Sequence, residues 1–290
     1  MTPPRFRHFA AIDWSGAIGE RQRGIAVALC GEGHEVPRLV RPAHVWSRAD
    51  VLAWLRDDLP ADTLVGMDLG ISLPFADIGA YFPGWDQTPA DARALWAMVD
   101  SIAAADAHLS VTSFVDHDDV ARHFRRHGAR QGDLYPKGRG RMRMTEHAQE
   151  AMGCKPTSNF NLVGAAQVGK SSLTGMRVLH RLNARIPVWP IDPLPRTGAV
   201  LCEIYTTIAA IAAGRSAARS KIRTGAELDT ALAALDSRPY GHTGPIDDHT
   251  SDALITAAWL RRAAHDRALW HPSTMTEKIA ATEGWTFGAQ

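Results

Sequence analysis

The chain has 290 residues, 45% of them hydrophobic and 22% charged, with a formal net charge of +1. These are the proportions of a globular protein with a core large enough to need no staple, as one large α/β domain or one domain carrying an insertion; so small a net charge argues neither for nor against a nucleic-acid partner. The cysteines, Cys30, Cys154 and Cys202, form no C-x-x-C pair, which excludes a disulfide framework or a zinc knuckle.

The opening MTPPRFRHFAAIDWSG lacks the apolar core of a secretory signal. FRHFAAID within it reads as a strand ending at Asp13, followed by a Ser-Gly turn. GIAVALCG is a second strand, and a third is expected around LVRPAHVW, so the chain starts as an antiparallel meander. SRADVLAWLRDDL carries a Ser cap and helical apolar spacing. TLVGM is a short buried strand ending near Asp68, and a helix is expected from Pro89 to Ala107, with Leu95, Met98, Val99 and Ile102 on one face.

Residues 116–150 change character. Between Arg122 and Arg143 lie seven Arg and one Lys against a single acid, Asp133. The segment reads as a basic insertion or lid that grips a phosphate backbone, or as a solvated loop paired with acids elsewhere. Tyr135 is a candidate to stack on a base. Met142 and Met144 alternate with arginine as in an extended segment, and Arg143 and Glu146 are candidates to point into a cleft.

Gly164 to Ser171 spell G-x-x-x-x-G-K-S, the pattern of a phosphate-binding loop. The context argues against one. CKPTSNFNLV offers no full strand before it, Gly175 falls inside the helix that should follow, and IPVWPID is broken by Pro187 and Pro190, which suits an edge or a turn rather than a central parallel strand. The better reading is a glycine-rich turn into a helix, with Lys170, Ser171 and Ser172 placed to face a substrate phosphate. GAVLCEIYTT gives a strand ending at Glu203, TGAELDTALAAL a helix, and DDHTSDALITAAWLRRAAHD a strongly patterned last helix. AVLCEIYTTIAAIAAG, the most apolar later stretch, carries Glu203 and is shorter than about 18 residues, so no membrane partner and a cytoplasmic chain are expected.

A carboxylate recurs where an apolar element ends or a helix begins. Asp13 follows FAAI, Asp68 follows LVGM and Glu203 follows VLC, while Asp248 and Asp252 lie one turn apart on one helix face. Each alone is a turn, cap or helix-dipole residue. Together, four or five converging acids suit two Mg²⁺ or Mn²⁺ ions and two-metal phosphodiester hydrolysis. His249 lies beside the acids and could donate to a phosphate, though a surface histidine at a helix start is the plainer reading. Trp14 and Ser15 are candidates to line the site.

AIDWSG, VGMDLGISLP, VGKSSLTGMRVLHRL, VWPID, CEIYTT and DDHTSDALITAAWL together resemble the RNase-H-like nucleases of domain-of-unknown-function family 429, from about residue 8 to residue 262. The resemblance implies one ribonuclease H-like α/β domain over residues 1–290, related to Holliday-junction resolvases and transposases. Its mixed sheet would have antiparallel first strands and then parallel ones, flanked by helices, with 116–150 as an insertion. It implies a metal-dependent nuclease with a DNA or RNA partner, in which Asp13 bridges two Mg²⁺ or Mn²⁺ ions and Asp68 and Glu203 each help hold one. Asp252, with Asp248 nearby, would hold the ion that activates water, and Lys170 would offset developing charge on the phosphate. Two other classes stay open: a nucleotide-binding enzyme with an actin-like core or a true phosphate loop at 164–171, and a non-catalytic scaffold on the same fold.

Overall fold

HFAAID forms the central strand β1 (His8–Asp13) because alternate residues find apolar partners on both sides of the sheet. The structure is a computed structural model that describes residues 6–164, 168–217 and 221–290; the first five residues of the opening segment and the middle of the G-x-x-x-x-G-K-S stretch, 165–167, lie outside them. The other strands are β2 (Ala26–Gly31), β3 (Arg38–Leu39), β4 (Thr63–Met67), β5 (Val188–Trp189) and β6 (Val200–Glu203). The helices are α1 (Arg48–Ala53), α2 (Ala92–Ile102), α3 (Thr112–Val115), α4 (Asp118–Ala121), α5 (Met144–Ala151), α6 (Val168–Arg181), α7 (Thr206–Ala212), α8 (Gly225–Ala234), α9 (Asp248–Ala263), α10 (Arg267–Trp270) and α11 (Glu277–Thr282).

The strands make one mixed six-stranded sheet in the order β3-β2-β1-β4-β6-β5. β1, β2 and β3 pair antiparallel; β1 with β4, β4 with β6 and β6 with β5 pair parallel. The chain is thus an α/β protein with helices on both faces. Ala10, Ile12, Val65, Met67 and Leu201 pack on one side with α2 and α6. Phe9, Ala11, Leu64, Val200 and Cys202 pack on the other with α7, α8 and α9. α9 crosses close over the sheet because Gly66 in β4 has no side chain: a Cβ there would lie 2.6 Å from Ile204 and 2.9 Å from Leu260. No helix among the described residues is long and apolar enough to cross a membrane.

Several boundaries differ from the sequence reading for local reasons. β3 stops at Leu39 instead of running through LVRPAHVW, since Arg41 takes a left-handed conformation (φ 52°) and Pro42 cannot donate to a ladder. α2 starts at Ala92 and not Pro89, because the Asp91 carboxylate caps it at the Ala94 N–H. Met144 opens α5 and is not extended. Residues 116–150 contain α4 and α5 and contribute to the core, with Phe124 and Tyr135 buried. Tyr135 is therefore a packing residue, not a free stacking platform.

Candidate functional site

Asp13 and Asp68 are neighbours by register. Ile12 pairs with Met67, and the Asp68 N–H donates to the Ile12 carbonyl at 2.9 Å, so the two acids sit side by side where β1 and β4 end. Even-numbered Leu64 and Gly66 and odd-numbered Phe9 and Ala11 face α9, which puts Asp13 and Asp68 on that face too. α9 begins there. The Asp247 carboxylate caps its first turn at the Thr250 N–H. His249 and Asp252 are thereby presented to the strand ends.

Of Asp13, Asp68, Asp248 and Asp252, three have a cationic partner. Asp13 Oδ2 is 2.9 Å from His249 Nδ1. Asp252 Oδ2 accepts from Lys221 at 2.9 Å. Asp248 lies 2.6 Å from Arg223 and 3.6 Å from Lys221. The Asp68 carboxylate accepts no hydrogen bond and forms no ion pair among the described residues. It stands at the floor of a cleft of about 400 Å³. Lost hydration raises its pKa well above the ordinary value, and the charges of Asp13, Asp252 and Glu203 raise it further. Burial likewise raises Asp13 and Asp252 against the pull of His249 and Lys221. His249 is raised by its bond to Asp13. Burial works against the Lys221 ammonium, but Asp252, Asp248 and Asp13 outweigh it and raise its pKa.

Glu203 is divided from the other acids by strand alternation. It is in register with Met67, not with Asp68, and therefore faces the opposite side of the sheet. There it accepts from Arg143 Nη2 at 2.6 Å, from Arg143 Nη1 and the Ile71 N–H at 2.8 Å, and from the Thr286 hydroxyl. A second carboxylate, Glu146, takes the rest of the same guanidinium at 2.6 and 2.9 Å. Arg143 is 1% exposed, so this cluster is a buried network at the edge of the cleft. Glu203, expected as a ligand beside Asp13 and Asp68, is instead committed to four donors, although it still borders the cleft.

The cleft is walled by Trp14, Ser15 and Gly16 on one side, by Ser171 from α6, and by Arg143, Glu146, Glu203 and His249. Asp13 and Asp252 do not line it; they are 7% and 6% exposed and lie behind it, Asp13 in contact with His249. The Ser15–Ala17 turn is fixed by buried Arg48, which donates to the carbonyls of Ser15, Ala17 and His108. Gly16 is required by a close approach: a Cβ would overlap the backbone of Lys170 and Ser171. Lys170 does not line the cleft; burial lowers its pKa and Asp116 partly offsets that. Ser172 supports the site from behind, its hydroxyl accepting the Gly70 N–H at 3.0 Å. The segment before Gly164 holds only an isolated bridge at Asn161, not a sheet strand.

The basic segment is largely neutralised. Arg122 pairs with Asp133, Arg126 and Arg130 with Asp116, Arg139 with Glu150 and Arg141 with Asp77. These pairs lie within the chain, and Arg122, Arg130 and Arg139 keep about half of their side chains exposed in them. Sequence reasoning passed over Lys221, Arg48 and Glu283. Glu283 is fully buried and accepts the N–H groups of Phe75, Ala76 and Met144, closing the loop after Asp68. Among the described residues no three His, Cys, Asp or Glu side chains form a ready metal-holding group in this conformation. Comparison with family models, curated proteins and solved structures finds no match to the chain.

Proposed function

We propose that the chain is a metal-dependent phosphodiesterase or nuclease of ribonuclease H-like fold, akin to family 429. The observation that carries this reading is Asp68, a carboxylate without a partner among the described residues and crowded by Asp13, Asp252 and Glu203. Such crowding is costly unless a cation relieves it. The donors are all carboxylate oxygens, the set that hard divalent cations prefer. Asp13, Asp68 and Asp252, with Asp248 beside them, are the residues that would hold Mg²⁺ or Mn²⁺; Asp13 and Asp252 would first leave His249 and Lys221. Bound there, such ions would neutralise the charge that develops on a phosphodiester and favour ionisation of water. The sheet order, antiparallel then parallel around β1 and β4, is the arrangement that the resemblance implies.

The chain's own groups have separate tasks in this reading. His249, at the mouth of the cleft, donates to a phosphate oxygen once Asp13 is otherwise engaged. Ser15 and Ser171 supply hydroxyls, and Trp14 an indole edge, along the wall. Trp14 is held by its Nε1 donating to Thr174 at 3.2 Å. Arg48 keeps the Ser15–Ala17 turn in place.

Asp68→Asn and Asp13→Asn, assayed for Mn²⁺-dependent cleavage of single-stranded, duplex and branched substrates, should each lose activity on the order of a hundredfold or more. The reading does not survive if wild type cleaves none of these substrates and binds no divalent ion by calorimetry.

A further inference from the structure

Lys221 holds a position that the proposed reaction has not yet used. It lies on a segment in which Ile222 is fully buried while Lys221 and Arg223 are exposed and both reach Asp248. The backbone there is fixed. Arg215 donates to the Lys221 carbonyl at 2.7 Å, Ser251 donates to the Ile222 carbonyl at 3.4 Å, and the Ile246 N–H donates to the Arg223 carbonyl at 2.9 Å. The side chains are not fixed in the same way. Lys221 and Arg223 are 50% and 65% exposed, whereas Asp252 beneath is 8% exposed. The Lys221 ammonium reaches Asp252 at 2.9 Å and Asp248 at 3.6 Å, and its charge is felt at Asp13 and Asp68 as well. One half-exposed cation thus stands over the acids proposed to hold divalent ions, on an anchored backbone and a long stem.

We propose that Lys221 is an exchangeable internal counter-ion: it neutralises Asp252 in the metal-free chain, releases it when divalent cations bind, and then pairs with a phosphodiester oxygen of the substrate, with Arg223 moving likewise from Asp248. This rests on the phosphodiesterase reading and adds the residues that would grip the substrate's backbone. It also accounts for an acid cluster whose conformation holds no ready metal-binding group: the ligands are engaged by Lys221, Arg223 and His249. Because the backbone is anchored, only side-chain rotations are needed.

An exchanging cation makes two opposite predictions for one substitution. Lys221→Met keeps the stem and removes the charge. Calorimetric titration of the full chain with Mn²⁺ alone should show binding about threefold to tenfold tighter than wild type, since the internal competitor is gone. Binding of a labelled oligonucleotide in the presence of Ca²⁺ should weaken by a similar factor, and its dependence on salt should fall by about one unit of slope. Lys221→Arg should retain the oligonucleotide affinity. Mn²⁺ affinity unchanged or lowered in Lys221→Met overturns the exchange and leaves Lys221 a fixed structural partner of Asp252. If wild type binds Mn²⁺ and Asp68→Asn abolishes this while Lys221→Met has no effect, the exchange alone fails. If neither wild type nor Lys221→Met binds Mn²⁺, the functional reading falls and takes the exchange with it.

Discussion

Two clusters of carboxylates and cations flank the cleft, built from the same chemistry and opposite in character. In the Arg143 cluster one guanidinium is shared by Glu146 and Glu203, all nearly without exposure, and Glu203 has four donors. In the Asp68 cluster the cations are half exposed, and one acid has no partner among the described residues. Both contain acidic residues near the end of a strand, so type and placement alone do not separate them. Burial of the cation does. A charge sealed with its partners is fixed structure, whereas a charge whose partner reaches water is free to change partner.

Replacing Arg143 tests the first half of that contrast most severely. Arg143→Met leaves Glu146 and Glu203 buried without their cation, and a loss of about 3–5 kcal/mol is expected in denaturant unfolding. A loss below about 1 kcal/mol would show the cluster to be as exchangeable as its neighbour. Gly175→Ala probes the seat of the Asp68 loop from behind. A Cβ there meets Leu69 directly, and a loss of about 1–3 kcal/mol is expected, with weaker Mn²⁺ binding because Leu69 adjoins Asp68.

The Asp68 cluster is sharpened by pH. Asp68 is raised in the folded chain, so its protonated form favours folding, and that stabilisation is lost as pH rises from its ordinary 3.8 through the raised value. Asp68→Asn removes this loss. Its stability relative to wild type should therefore grow with pH across that window, as measured by unfolding at stepped pH; no change in the difference would mean that the crowding is not felt. The smallest effect belongs to His249, whose side chain is 49% exposed. Its raised pKa means that the bond to Asp13 stabilises below the ordinary 6.5 and that this contribution is lost as pH rises through the raised value. His249→Ala should cost less than about 1 kcal/mol below that point and nothing in alkali.

Much of the site could be read from residue order. FAAID and LVGMD are apolar runs ending in an acid, and side-by-side strands of that kind bring their acids together once they pair in register. The last helix was legible from its spacing, with Asp248 and Asp252 on one face. Glu203 was the instructive exception. VLCE looks like the other two runs, but the pairing of Leu64 with Val200 puts Glu203 opposite Met67, and a one-residue offset reverses the face. No local pattern marks Lys221, which meets Asp252 only because the segment before α8 folds back over α9. Nor does one mark ATEGWTFGA near the end of the chain, where Glu283 and Thr286 close the Arg143 cluster.

The sequence by itself determined the α/β class, the strand-terminal acids at Asp13 and Asp68, and the helix that carries Asp252. These follow from periodicity and from what an apolar run permits at its end. Only the tertiary structure decided which acids share a face, which cation each one meets, and that most arginines of 116–150 pair with acids of the same chain. Those outcomes depend on register and on contacts between residues far apart in the chain, where a shift of one position or one turn changes the partner.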